Sequence, residues 1–178
     1  MSHFIQFLTY FRIFISPIIF LLITLYDSYS LALFLFLLAG ISDYWDGFLA
    51  RKYNLESIIG AVLDPIADKI LITFIILALS IELSSVFIGM TGGLILVREF
   101  WVGALRDYNS RHGNSDATKV TLLAKIKTSI QLFTFSLYLF GLALNSSLVL
   151  FISNFFLFLA LIITVKTGIS YTIATFKR

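Results

Sequence analysis

Four aspartates, Asp43, Asp46, Asp64 and Asp68, lie within the stretch ISDYWDGFLARKYNLESIIGAVLDPIADK. Asp43 and Asp46 are three residues apart, and Asp64 and Asp68 are four apart. Either spacing puts a pair on one face of an α-helix. The intervening segment 51–57 is short enough to return the chain antiparallel. The two pairs can then face each other across one helix interface. Four carboxylates in a small, poorly hydrated volume repel one another, and ionisable groups inside apolar spans mark functional sites. Hard divalent cations relieve that repulsion and prefer carboxylate oxygen. The chain has no cysteine and no histidine near the cluster, so magnesium or manganese is the expected metal. Two such ions can steady the attacking and leaving oxygens of a phosphoryl displacement. A competing reading pairs the acids with Arg51, Lys52 and Lys69, or sets them around a water-filled cavity. A cation transporter could use the same groups.

The elements that must position these acids are membrane helices. The chain has 178 residues, of which 59% are hydrophobic and 13% charged, with 19 phenylalanines. A soluble domain of this size buries too little of its area to hide so much apolar surface. Six runs approach the roughly 20 apolar residues needed to cross about 30 Å of hydrocarbon. They are 4–26, 31–50, 57–80, 86–108, 120–142 and 148–175. The apolar runs are too long for a barrel wall. The expectation is therefore an all-α integral membrane protein with six transmembrane helices and both termini on one side. No repeat, tail or second domain is evident, so residues 1–178 read as one transmembrane domain. Arg12 interrupts the first run and no small-residue cleavage site follows it, so a retained span is expected rather than a cleaved leader. Pro17 is tolerated there or kinks the helix.

The net charge is +3. Basic residues avoid the polar breaks near 27–30, 81–85 and 144–147 and gather near 51–52, from 106 to 127 and at 177–178. Positive charge concentrates on the cytoplasmic side, which puts both termini and the acidic cluster there. A nucleic-acid binder would need a continuous basic surface, and none is present. Small residues accompany the acids: Gly40 and Gly47 lie seven apart, and Gly60 begins a face that Asp64 and Asp68 continue. They permit close helix approach, or bring a ligand near backbone.

The ordered pattern resembles the CDP-alcohol phosphotransferase family. It runs Asp43, two residues, Asp46-Gly47, two residues, Ala50-Arg51, eight residues, Gly60, three residues, Asp64, three residues, Asp68. Family members move a phosphoalcohol group from a CDP-linked donor to an alcohol and release CMP. The resemblance implies that Asp43, Asp46 and Asp64 are metal ligands and that Asp68 touches the second of two metals and accepts the acceptor hydroxyl proton. It implies that Gly47 and Ala50, with Gly60, admit the cytidine nucleotide and that Arg51 pairs with donor phosphate, a task suited to a permanently charged fork. It also implies a homodimer.

The stretches VREFWVGALRDY, LLAKIKTSIQL and LTYFRIFISP resemble the phosphatidylglycerophosphate synthase branch of that family. This implies CDP-diacylglycerol as donor and sn-glycerol 3-phosphate as acceptor, in the cytoplasmic membrane of a bacterium. Other acceptors of the family, namely serine, inositol phosphate or a phospholipid, are the alternative. Two departures are visible: Ala124 stands where a glycine is common, and no Pro-Asn pair precedes Leu8. An acceptor that already carries phosphate needs positive charge in its site. Arg98, Arg106, Lys125 and Lys127 are the candidates, with Lys127 preferred over Lys125. Positive-inside anchoring competes with that role for each of them. Glu99 is expected to orient Arg98 or another basic group. Arg12 either closes the same pocket or reaches headgroups. His3 and His112 are terminal and loop residues, poor candidates for catalysis. Trp45 and Trp101 read as interfacial anchors.

Overall fold

The structure is a computed structural model. It describes the backbone of residues 2–53, 58–119 and 121–177, and their side chains apart from 2–6, 43–44, 46–53, 58–59, 61–62, 115 and 125. Six long helices follow in order: α1 (Ser2–Thr24), α2 (Tyr29–Tyr53), α3 (Ile58–Glu82), α4 (Val86–Arg111), α5 (Leu122–Ala143) and α6 (Ser147–Phe176). The apolar runs thus become helices with ends shifted by a few residues. In a lipid solvent a helix satisfies its own backbone polar groups, which is why uninterrupted apolar runs take this form.

The polar breaks end helices by a common device. Asp27, Ser84 and Asn145 carry φ values of 49°, 44° and 51°, a left-handed conformation that short polar side chains tolerate better than most. After Ser84 the amide of Ser85 reaches back to the carbonyl of Ser80, and after Asn145 the amide of Ser146 reaches the carbonyl of Gly141, at 3.0 and 2.9 Å. These bonds close the exposed carbonyl end of α3 and of α5. The next helix starts at once, because Ser85 and Ser146 side chains accept from the amides of Ile88 and Val149. His112, read as a loop residue, follows the last turn of α4, which continues to Arg111, and a 3-10 turn forms at Ser115–Thr118.

The count of six membrane spans is corrected. Among the described residues four helices are long and apolar enough to cross a membrane: Phe7–Thr24, Val86–Arg111, Leu122–Ala143 and Ser147–Phe176. In α2 the apolar stretch among the described residues is Tyr29–Ser42, and the sequence of its second half carries Asp43, Asp46, Arg51 and Lys52. In α3 the charged Asp64, Asp68 and Lys69 interrupt the first half. The two helices that fall short are those that carry the aspartates. The placement of both termini on one side, which followed from six spans, loses its basis. What stands is a multi-pass membrane protein.

The helix pairings close a circuit: α1 packs on α2, α2 on α5, α5 on α6, α6 on α4, α4 on α3, and α3 on α1. Buried Ile19, Ile23, Phe36, Ile75, Leu79, Ile95 and Phe135 form the core. Phe36 and Phe135 meet edge to face with ring centroids 6.4 Å apart, a preferred aromatic geometry. Tyr138 of α5 donates to Asn154 Oδ1 of α6 at 2.6 Å. Many phenylalanines, including Phe14, Phe151 and Phe155, point outward instead, where lipid rather than water is the expected neighbour.

Candidate active site

The site begins at the face where α1 packs on α3. Thr9 and Arg12 are three apart on α1, so they share a face; Asp64 and Asp68 do the same on α3. Thr9 Oγ1 donates to Asp64 Oδ1 at 2.7 Å. The Arg12 guanidinium donates to Asp64 Oδ1 at 3.4 Å and also to Asp68 Oδ1. Arg12 is 0% exposed, whereas the two aspartates are partly open. Two carboxylates thus converge on one buried cation, and Arg12 belongs to the pocket rather than to the headgroup layer. Ser16 Oγ donates to the Arg12 carbonyl at 2.6 Å and packs in the turn that follows. Pro65 stands between the two acids and lacks the amide hydrogen that would bond the carbonyl four residues back.

Asp43, Asp46, Gly47, Ala50 and Arg51 lie on the α2 backbone, but their side chains lie outside the described residues. The facing of the two acidic pairs therefore falls outside them too. Gly60 lies one turn before Asp64 on α3 and is half-buried. Among the described residues no group of three or more His, Cys, Asp or Glu gathers to hold a metal. The described part of the quartet nevertheless fits one. Its donors are carboxylate oxygens, the ligand type that hard divalent ions prefer, and Asp64 and Asp68 converge on one positive charge.

A second cluster stands on α4 and α5. Arg98 is 9% exposed and Lys127 is 6% exposed. Glu99 Oε1 accepts from Arg98 Nη1 at 3.2 Å and also from the Lys127 ammonium. One carboxylate therefore orients two cations, leaving an excess of positive charge. Arg98 Nη2 donates to Thr167 Oγ1 at 2.7 Å, and its guanidinium lies over the Tyr171 ring, 5.8 Å from the centroid. Gly168 makes room for it: a Cβ there would stand 2.9 Å from Arg98 Cγ. The Arg98 Nε is buried without a hydrogen-bond partner among the described residues, a costly state for a charged group unless a ligand completes it. Arg106, two turns beyond Arg98, is exposed at the mouth of the same cavity. The Lys125 side chain lies outside the described residues. Lys69, a suggested partner for the acids, lies instead over the Phe100 ring at 5.2 Å, opposite Gly103.

One cavity of about 1010 Å³ joins the clusters, with Arg12, Asp68, Lys69, Arg98, Glu99, Arg106 and Lys127 all in its wall. Its lining changes along each helix. On α3 it passes from Asp68 and Lys69 to Leu71 and Ile72, and on α5 from Lys127 and Thr128 to Leu132 and Phe135. On α4 it runs the other way, from Leu96 to Arg98 and Arg106. Consecutive helices alternate in direction, so these gradients give one polar end and one apolar end. That is a container for an amphiphile together with a small anion.

Comparison with known proteins places the sequence in a family. The model of the CDP-alcohol phosphatidyltransferase family matches residues 3–166, which include every residue lining the cavity. The chain belongs to the CDP-alcohol phosphatidyltransferase family. It is similar to the CDP-diacylglycerol–glycerol-3-phosphate 3-phosphatidyltransferase of Rickettsia felis, at 38% identity over 93% of this chain and 91% of that one. It is similar to the enzymes of the same name from Wigglesworthia glossinidia brevipalpis, at 37% identity over 70% of each chain, and from Escherichia coli K12, at 31% over 70% of each. The family reading carries an expectation of divalent-metal dependence.

Gly40 and Ala124 also line the cavity, whereas His112, Trp45 and Trp101 are not part of its lining. His112 stacks on Tyr108 with centroids 4.1 Å apart and is exposed; the His3 side chain lies outside the described residues. Trp45 is exposed, and Trp101 is exposed while its indole donates to Thr172 Oγ1 at 2.9 Å. Sequence reasoning assigned no role to Thr9, Gln131, Thr167 or Gly168, although the first two lie in quoted stretches. Thr9 and Gln131 each had a visible signal, standing one turn from Arg12 and Lys127 on the same helical face. Thr167 and Gly168 had none, since their role depends on α6 lying beside α4.

Proposed function

We propose that this protein transfers the phosphatidyl group of CDP-diacylglycerol to sn-glycerol 3-phosphate, giving phosphatidylglycerophosphate and CMP. The observation that carries the reading is the single cavity in which Asp68 shares a wall with the buried cations Arg98 and Lys127. The names of the relatives support the same substrates. The proposed setting is a bacterial inner membrane, with the polar end of the cavity open to the cytoplasm and the enzyme working as a homodimer.

Asp43, Asp46, Asp64 and Asp68 would hold two divalent ions, magnesium or manganese. Bound there, the ions supply charge neutralisation for the pyrophosphate and the leaving CMP. The chain's own groups do the rest. Arg98, Arg106 and Lys127, with Lys125, hold the acceptor phosphate, and Glu99 keeps Arg98 and Lys127 aimed at it. Arg51 pairs with a donor phosphate, and Gly47, Ala50 and Gly60 leave room for the nucleotide. Asp68 takes the proton of the acceptor 1-hydroxyl as that oxygen attacks the phosphorus bearing diacylglycerol. The new oxygen–phosphorus bond forms as the pyrophosphate bridge breaks, and CMP departs with the bridging oxygen. The apolar lining keeps the acyl chains out of water throughout.

The test is a product assay on purified protein in defined detergent micelles, with CDP-diacylglycerol and Mg²⁺ or Mn²⁺. Parallel arms contain sn-glycerol 3-phosphate, serine, inositol phosphate or no acceptor. CMP release that depends on glycerol phosphate and on the metal, and ceases with chelator, is the expected result. Release that depends on serine instead would overturn the choice of acceptor.

A further inference from the structure

Gln131 sits one helical turn after Lys127 on α5, on the same face and about 6 Å farther along the axis. It is 2% exposed and lines the cavity that holds Asp68, Arg98 and Lys127. Its amide is tethered at one end only. Nε2 donates to Thr164 Oγ1 of α6 at 3.3 Å. The other end, the carbonyl Oε1, is buried and has no hydrogen-bond partner among the described residues. A buried amide oxygen left unpaired is unfavourable. Holding α5 against α6 requires only the Nε2 end, so that task does not explain the carbonyl.

The chemistry of the cavity supplies the missing partner. Lys127 and Arg98 donate to anions, and neither can accept a hydrogen bond. Asp68 is committed to the reacting hydroxyl in the proposed reaction. A neutral acceptor fixed one turn from the phosphate-binding ammonium is suited to a second hydroxyl on the carbon next to the one that bears the phosphate. We infer that Gln131 reads the 2-hydroxyl of the acceptor, taking its hydrogen bond at Oε1 and so selecting a vicinal diol phosphate over a simple alcohol phosphate. The inference rests on the acceptor reading above and names a specificity-determining residue within it.

The test compares two acceptors in one preparation: sn-glycerol 3-phosphate and 3-hydroxypropyl phosphate, which is the same molecule without the 2-hydroxyl. The readout is the ratio of their kcat/KM values for CMP release, which does not depend on the folded fraction. Sites built to bond a hydroxyl discriminate strongly against analogues that lack it. The unaltered protein is expected to prefer glycerol phosphate by at least about tenfold. Gln131→Met, close to isosteric but without the carbonyl, is expected to shrink the preference to about threefold or less, chiefly by losing activity on glycerol phosphate. An unaltered ratio in Gln131→Met would overturn the inference, because a purely structural glutamine affects both acceptors alike. Absence of preference in the unaltered protein would overturn it without any variant. If the unaltered protein uses neither acceptor but uses serine or inositol phosphate, the parent reading fails, and this shows before any substitution is made.

Discussion

The pairing of Arg12 with Asp64 and Asp68 gives two residues of the acidic site distinct tests. Asp68→Asn keeps the size of the side chain and a hydrogen-bond partner for Arg12 but removes the base. Loss of a general base lowers turnover by about 10²- to 10⁴-fold, so CMP release at saturating substrates is expected to fall in that range. Full turnover by a folded Asp68→Asn enzyme would remove it from the mechanism. Arg12→Gln removes the cation on which two carboxylates converge. Those carboxylates are partly exposed, so solvent screens part of the loss, and a cost of about 1–2 kcal/mol is expected in metal-free protein. Mg²⁺ is expected to narrow the gap between Arg12→Gln and the unaltered protein, since it can neutralise the same oxygens. Thermal unfolding with and without Mg²⁺ measures this; an equal drop in both conditions would contradict it. The spacing of Asp64 and Asp68 was readable from the chain alone, because four residues is a local relation on one helix. Their partner Arg12 was not, being more than 50 residues away in sequence.

Among the elements, α3 and α4 approach closely at several glycines of α4, most tightly at Gly92. A Cβ on Gly92 would lie 2.3 Å from Ile76 Cγ2, whereas a Cβ on the adjacent Gly93 would meet nothing within 4 Å. Gly92→Val is therefore expected to destabilise the protein by about 1–3 kcal/mol, the usual range for overpacking, and Gly93→Val much less. Paired melting curves for the two variants check this; equal effects would mean that the close approach does not govern packing. A sequence reading finds both glycines but cannot rank them, because the ranking depends on which helix faces which. The helices themselves were legible, since long apolar runs mark them and the polar residues at Asp27, Ser84 and Asn145 mark where α1, α3 and α5 stop. The number of spans was misjudged on α2 and α3. Length alone was satisfied there, but the charges that make these helices useful also shorten their apolar stretch.

For the whole molecule, the circuit of helices explains why the acceptor cluster was only partly readable. Arg98, Lys127 and Glu99 were visible as charged residues within apolar runs. The cradle around Arg98 exists because α6 closes against α4, and the tether on Gln131 because α6 also closes against α5. Those neighbours are fixed by tertiary order, which no local pattern encodes.

The cavity's gradient, from Asp68 and Lys127 at one end to Leu132 and Phe135 at the other, has a kinetic consequence. A donor whose acyl chains never leave the apolar phase is encountered by sideways diffusion within that phase. Its effective concentration is then a mole fraction in a surface, not an amount per litre. Diluting the micelles with neutral detergent, at constant total CDP-diacylglycerol, is expected to lower the rate in proportion to the donor's surface fraction below saturation. Adding buffer at a fixed detergent-to-lipid ratio should leave the rate per enzyme unchanged at fixed acceptor. A rate that follows bulk concentration instead would place the donor's entry in water, and the apolar end of the cavity would need another use.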